Sequence, residues 1–199
     1  LAIDDLVYTY DEGNLLEKVQ DLENFSAGYD DGYTGSQDDF EYDTYGNMTR
    51  NRDKDIIAID YNHLNLPTQI TFGNGNTINY LYDAIGTKLG KTTDDGTSTN
   101  ETEYMEGFQY TEGALDFFPT AEGYVKVLTT GSMTDYHYVF QYKDHLGNIR
   151  VNYAQDPDNN NQLAILEEDH YYPYGLKHNG YNGNHNVIEI KPTGFISLT

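Results

Sequence analysis

Apolar and polar residues alternate along much of this chain with a period of two, the period of a half-buried β-strand. Val7-Tyr8-Thr9-Tyr10, Ile59-Asp60-Tyr61 and Ile78-Asn79-Tyr80-Leu81-Tyr82 combine tyrosine with β-branched residues, which suit a pleated surface. Alternating return strands are predicted at Asn47-Met48-Thr49-Arg50, Leu66-Pro67-Thr68-Gln69-Ile70-Thr71-Phe72 and Asn148-Ile149-Arg150-Val151-Asn152-Tyr153.

One turn recurs between these strands. Its copies are Tyr10-Asp11-Glu12-Gly13-Asn14, Tyr42-Asp43-Thr44-Tyr45-Gly46-Asn47, Tyr61-Asn62-His63-Leu64-Asn65, Tyr82-Asp83-Ala84-Ile85-Gly86 and Tyr142-Lys143-Asp144-His145-Leu146-Gly147-Asn148. The Asp or Asn accepts hydrogen bonds from backbone amides two residues on and so starts the turn. Glycine supplies the positive φ that closes a short hairpin with a bulge. Asn65 stands where glycine would, as the next most tolerant residue of that conformation.

The spacing is that of an internal repeat. Tyr42 to Tyr61 is 19 residues and Tyr61 to Tyr82 is 21. The 60 residues from Tyr82 to Tyr142 leave room for about three further units, with Tyr104 and Tyr124 near the expected places. A two-stranded unit of about 20 residues cannot bury a core alone, so neighbouring units must stack. An antiparallel sandwich with similar turns is the alternative.

The pattern resembles the tyrosine–aspartate (YD) repeats of the RHS family. Phe140-Gln141-Tyr142-Lys143-Asp144-His145-Leu146-Gly147-Asn148-Ile149-Arg150-Val151 is similar to that family's most recognisable stretch. Glu167-Glu168-Asp169-His170-Tyr171-Tyr172-Pro173-Tyr174-Gly175-Leu176 resembles the element leading into its repeat-associated core, with Tyr172, Pro173 and Gly175 as the matching positions. Phe108-Gln109-Tyr110 and Phe118-Pro119-Thr120-Ala121-Glu122-Gly123-Tyr124 resemble the form common in Bacteroidetes proteins. The resemblance implies an all-β chain of stacked antiparallel hairpins, an open fragment of a β-spiral that closes into a hollow shell. It also implies a downstream toxin or tag domain on the same polypeptide. Residues 1–183 are expected to form the repeat domain, with an insertion at about 26–39, and 184–199 an atypical tail. That tail matches neither the family's self-cleavage region nor a variable toxin domain, so autoproteolysis is not carried over.

Composition narrows the partners. The chain has 11 basic and 33 acidic residues in 199, a net charge of −22, which excludes nucleic acid as a partner. Hydrophobic content is only 37%, but 20 tyrosines and 8 phenylalanines supply large core groups with a polar handle. There is no cysteine, hence no disulfide or thiolate site. Neither a leader pattern nor an apolar run of about 18 residues, the length of a membrane span, occurs in these residues. A secreted or cell-surface location is the expectation.

One loop has metal-ligand spacing. Asp156, Asp158, Asn160, Gln162 through its carbonyl, and Glu167 fall at positions 1, 3, 5, 7 and 12 of an EF-hand-like calcium loop over 156–167. Position 6 is Asn161 rather than glycine, and position 9 is Ala164. The other reading is an Asp/Asn-rich hairpin tip. Asp30, Asp31, Asp38 and Asp39 in the insertion find no third ligand at defined spacing and read as a solvated loop.

Nothing else points to chemistry, and no enzyme is expected. The six histidines form no metal-binding pair, and no nucleophile elbow or phosphate loop is present. Glu167, Glu168 and Asp169 are consecutive on a strand, where adjacent side chains face opposite ways. Tyrosine pairs at alternating positions (Tyr8 and Tyr10, Tyr80 and Tyr82, Tyr136 and Tyr138) share one face each, as core, shell lining or a glycan platform. The leading reading is a non-catalytic structural segment of an exported toxin-like scaffold that needs no cofactor. The alternative is a surface module that binds carbohydrate or protein. Open sheet edges predict self-association by edge pairing.

Overall fold

The computed structural model describes residues 4–11, 13–23, 28, 29, 31–156, 162–172, 175–178, 187–191 and 194–198. Among them there is no α-helix. The chain divides into two compact units, residues 1–104 with 111–113, and residues 105–110 with 114–199.

In the first unit, β1 (Leu6–Tyr10) and β2 (Leu16–Asp21) form a hairpin of their own. They are followed by β3 (Phe40–Tyr42), β4 (Met48–Asn51), β5 (Ile56–Tyr61), β6 (Pro67–Phe72), β7 (Thr77–Tyr82), β8 (Lys88–Asp94) and β9 (Thr99–Met105). From β3 to β9 each strand pairs antiparallel with the next. In the second unit, β10 (Phe108–Thr111), β11 (Ala114–Thr120), β12 (Gly123–Thr130), β13 (Met133–Lys143), β14 (Ile149–Asp156) and β15 (Gln162–Glu168) again lie in sequence order. β16 (Val187–Lys191) and β17 (Gly194–Leu198) form a separate hairpin. The expected all-β, antiparallel architecture is what the chain adopts.

The apolar interior is thin. In the first unit only Val19 and Phe40 are fully enclosed among the hydrophobic residues described. In the second, Val125 and Val127 share one face of β12, and Val139, Ala154 and Leu166 form a cluster with Tyr124 packed against it. Each enclosed valine contributes about 1.5–3 kcal/mol. The other hydrophobic side chains described are half-buried or exposed, so backbone pairing and polar contacts carry much of the definition of the fold.

Five hairpins share one irregularity. The register slips by one residue between Thr9 and Tyr10, Glu41 and Tyr42, Asp60 and Tyr61, Leu81 and Tyr82, and Tyr142 and Lys143. The extra residue lies on the return strand, as in a β-bulge. Tyr10, Tyr42, Tyr61, Tyr82 and Lys143 then face Leu16, Met48, Pro67, Lys88 and Ile149, each the first residue of the strand that follows the turn.

The interval from Tyr82 to Tyr142 corrects an expectation. The predicted three further units are absent, and the chain there runs as longer strands. Glu106 and Gly107, and again Glu112 and Gly113, hold paired positive φ values of 51° and 90°, and 51° and 74°. Two successive left-handed residues match the twist of the flanking strands and close a two-residue hairpin without a side-chain acceptor. Tyr104 and Tyr124 therefore lie in β9 and β12 beside turns that no Asp or Asn opens.

Candidate metal centre and the repeat turns

The repeat turns are built as their residue types dictate. Asp11 Oδ1 accepts from the amides of Gly13 (2.7 Å) and Leu15 (3.2 Å), and Asp43 Oδ1 from Tyr45 (2.8 Å) and Asn47 (2.9 Å). Asn62 Oδ1 does the same for Leu64 (2.9 Å) and Leu66 (3.1 Å), Asp83 for Ile85 (2.9 Å) and Thr87 (2.8 Å), and Asp144 for Leu146 (2.9 Å) and Asn148 (3.0 Å). Gly46, Gly86 and Gly147 take φ values of 83°, 89° and 88°, and Asn65 takes 57°. In the first copy Gly13 stands two residues after Asp11, so Asn14 occupies the place that Gly46 fills three residues after Asp43. These bonds set the carboxyls' acidity. The Asn47 side-chain amide holds Asp43 below its ordinary value, and the Thr87 backbone amide does so for Asp83. Asp144 loses hydration, yet Asn148, Leu146 and Arg150 together bring it down to about 2.

Tyrosine closes the contact between consecutive turns. Tyr42 Oη donates to the Leu16 carbonyl (2.8 Å), Tyr61 Oη to Met48 (2.7 Å) and Tyr82 Oη to Pro67 (3.1 Å). Each acceptor is the first residue after the preceding turn, so every tyrosine is clamped onto the hairpin before it. The Asn47 side-chain amide also donates to Asn65 Oδ1 (3.0 Å), joining two neighbouring turns directly.

Two repeat residues are corrected. Tyr142 does not clamp and is 66% exposed. It lies two residues before Asp144 rather than one, and strand alternation turns it to the opposite face, with Lys143 in the clamp position. Tyr171, not Tyr172, is the clamp of the last element. Its hydroxyl donates to the carbonyl of Ile149 (2.9 Å), the first residue after the Asp144 turn. Tyr172 occupies the Asp place: its amide donates to Leu176 O (2.7 Å), and Gly175, at φ 89°, donates to Tyr172 O (3.1 Å). The signal was present in the spacing, because the clamp stands four residues before the left-handed Gly or Asn at Tyr42, Tyr61, Tyr82 and Tyr171 alike. Tyr10 stands four residues before Asn14, which is not left-handed, and it remains 54% exposed, with β1 paired to β2 alone. Pro173 lies outside the described residues.

The 156–167 calcium loop is not assembled as its spacing suggests. Asp156 pairs with Gln162, but β15 begins at Gln162 and carries Glu167 five residues away, opposite Asn152. At about 3.3 Å per residue that is about 16 Å, far beyond a shared coordination sphere. Glu167 instead accepts from Asn152 Nδ2 (3.0 Å) and pairs with Lys177 Nζ (2.7 Å), which also meets Asp169 Oδ1 at 2.7 Å. Lys177 holds the Glu167 carboxyl below its ordinary value. Asp158 and Asn160 lie outside the described residues.

The insertion, in contrast, is no solvated loop throughout. Asp39, just before β3, is fully enclosed, and Asp53, in the turn between β4 and β5, is nearly so. Asp31 joins them, and one carboxylate oxygen from each of the three lies within 4.8 Å of the others. Asp39 is built in by the backbone. Its amide donates to Glu17 O (2.8 Å), its carbonyl accepts from the Arg52 amide (2.8 Å), and its Oδ2 accepts from the Val19 amide (2.8 Å). Asp53 Oδ2 accepts from Tyr29 Oη (2.9 Å) and Oδ1 from the Tyr33 amide (3.2 Å). Gly32 rests against the Asp53 carbonyl so closely that a Cβ would lie 2.6 Å from its oxygen, which brings the neighbouring Asp31 to the cluster.

Charge in this cluster is poorly compensated. Among the described residues its one ion pair is Lys18 Nζ to Asp39 Oδ1 at 3.9 Å, and Lys18 also donates to Gly35 O (3.0 Å). The Oδ1 atoms of Asp31 and Asp39 are buried and accept no hydrogen bond. Burial pushes both the Asp39 and Asp53 carboxyls up, and Asp31 adds like-charge repulsion to each. Burial raises the Tyr29 phenol as well, with the Asp53 contact second. Sequence spacing did not reveal Asp53, which is supplied by a different hairpin.

Solved structures share the fold. The crystal structure of TcdB2-TccC3 aligns with a TM-score of 0.54 at 16% identity, over 87% of this chain and 10% of that one. The structure of TcdB2-TccC3 without its hypervariable C-terminal region gives 0.51 at 16% identity, over 86% and 10%. That of TcdB2-TccC3-TEV gives 0.52 at 15% identity, over 96% and 11%. The chain thus spans about a tenth of the length of these structures' chains, and at such identities the likeness is one of fold. No family model matches the chain, and no curated protein matches it.

Proposed function

We propose that this chain is a non-catalytic wall segment of an exported, toxin-associated scaffold of the RHS type. One observation carries the reading: each clamping tyrosine hydrogen-bonds to the first residue after the previous turn, at Tyr42, Tyr61, Tyr82 and Tyr171. Where it occurs, such a contact links one hairpin to the hairpin before it, so it can be repeated along a chain of any length. A wall needs that property, and the fold likeness to TcdB2-TccC3 agrees with it. The mechanism is confinement. A continuous hydrogen-bonded sheet separates a domain of the same polypeptide from its surroundings until delivery.

The test is the reading frame on both sides of residues 1–199, followed by electron microscopy of its whole product. Further repeats around an enclosed C-terminal domain support the wall. A product with no enclosed volume overturns it. The surface-module reading would then lead, because Tyr136 and Tyr138 are 59% and 63% exposed on one face of β13. A glycan array checks that reading, and loss of signal in a Tyr136→Ala, Tyr138→Ala variant would support it.

A further inference from the structure

We propose that Asp31, Asp39 and Asp53 bind one calcium ion, which fastens the insertion to the hairpin β4–β5. The donors are three carboxylates with no histidine or cysteine among them, a set suited to a hard cation. Among the described residues the one ammonium paired with these carboxylates is that of Lys18, so with all three ionised two negative charges stand uncompensated in a largely enclosed place. A divalent cation cancels them.

The second observation is the state of the oxygens themselves. Asp39 is 0% exposed, yet its Oδ1 accepts no hydrogen bond, and Asp31 Oδ1 is buried in the same condition. A buried carboxylate oxygen without a donor is costly in any protein, and a metal ion removes the cost. Three of the other carboxylate oxygens accept hydrogen bonds: Asp39 Oδ2 from the Val19 amide, Asp53 Oδ2 from Tyr29 and Asp53 Oδ1 from the Tyr33 amide. These bonds orient the carboxylates as outer-shell partners orient metal ligands.

Ligand chemistry favours calcium over magnesium. Oxygens bound to calcium at about 2.3–2.6 Å lie up to about 4.6–5.2 Å apart, and the three carboxylates offer oxygens within 4.8 Å of one another. Magnesium, at about 2.0–2.1 Å, demands near-ideal octahedral geometry and keeps several waters, so an all-protein carboxylate set suits it less. Waters and backbone carbonyls would complete the six to eight oxygens that calcium takes.

The chain contains no tryptophan, so terbium(III) luminescence excited through tyrosine is a direct probe of an ion beside Tyr29. After treatment with chelator, calorimetric titration with calcium chloride is expected to show one saturable site. Terbium should light up at the same stoichiometry, and calcium should displace it where equimolar magnesium does not. At calcium about 100-fold above Kd the melting midpoint should rise by about 5–10 °C. Asp53→Asn and Asp31→Asn should each weaken calcium binding by at least about tenfold, the scale on which even outer-shell partners act. Both variants relieve like-charge repulsion, so they are expected to fold without metal. Tyr29→Phe should dim the terbium signal while calorimetric binding persists, whereas Asp158→Asn should change nothing. No saturable heat with calcium, or an undiminished response in Asp53→Asn and Asp31→Asn, overturns the assignment. So does a response lost only in Asp158→Asn.

Discussion

The phenol of Tyr61 donates to the carbonyl of Met48 over 2.7 Å, joining the start of one turn to the end of the turn before it. The same residue positions are linked in the Tyr42–Leu16 and Tyr82–Pro67 pairs. Replacing Tyr61 by phenylalanine keeps the ring and removes the bond, so a loss of about 1 kcal/mol is expected. Tyr142→Phe should change stability by less than about 0.5 kcal/mol, because that ring faces solvent. Urea denaturation midpoints of the two variants make the comparison. Equal effects would remove the clamp from the account.

Asn62 tests the acceptor in the turn. Its Oδ1 serves the amides of Leu64 and Leu66, as the aspartates do in the sister turns. Asn62→Asp should therefore be close to neutral, and Asn62→Ala should cost about 1–2 kcal/mol through two amides left without a partner. Thermal melting of both variants checks this. A larger cost for aspartate than for alanine would contradict it.

Acid should weaken the turns in a defined window. Asp43, Asp83 and Asp144 all have folded values below the ordinary 3.8, with Asp144 at about 2. A carboxyl depressed on folding contributes stability that is present above its unfolded value and lost as pH falls through the folded one. Denaturation midpoints should thus fall as pH drops from about 4 toward about 2. In an Asp144→Asn variant that fall should be shallower.

Gly86 and Gly75 separate conformation from packing. Both have φ of 89°, but a Cβ on Gly86 would meet Leu66 Cδ1 at 3.0 Å, whereas one on Gly75 would meet nothing within 4 Å. Alanine at Gly75 should cost about 1–2 kcal/mol, the left-handed backbone term alone. Alanine at Gly86 should cost more, by the shift that Leu66 must make. Equal losses would show that Leu66 moves freely.

Much of the fold was legible because its decisive interactions are local. An Asp or Asn that reaches amides two and four residues ahead, and a left-handed residue that closes the turn, are matters of a few adjacent side chains. They read the same at Asp43, Asn62 and Asp83 wherever those turns sit in the fold. The clamp positions were legible too, through the four-residue step from Tyr171 to Gly175. That step also shows Tyr142 to be one place early, and alternation converts this single residue into a reversed face. The stretch from Lys88 to Lys143 was misjudged because tyrosine inside a strand and tyrosine before a turn look alike when the Asp or Asn is missing.

Sequence alone determined the class and the recurring Asp or Asn turns, because neighbouring residues decide both. Tertiary structure alone decided that Asp31, Asp39 and Asp53 converge and that Glu167 leaves the acidic loop for Lys177. Those contacts join segments that are distant along the chain. Which distant carboxylates meet depends on how β2, β3 and the β4–β5 turn close on one another, and spacing holds no record of that closure.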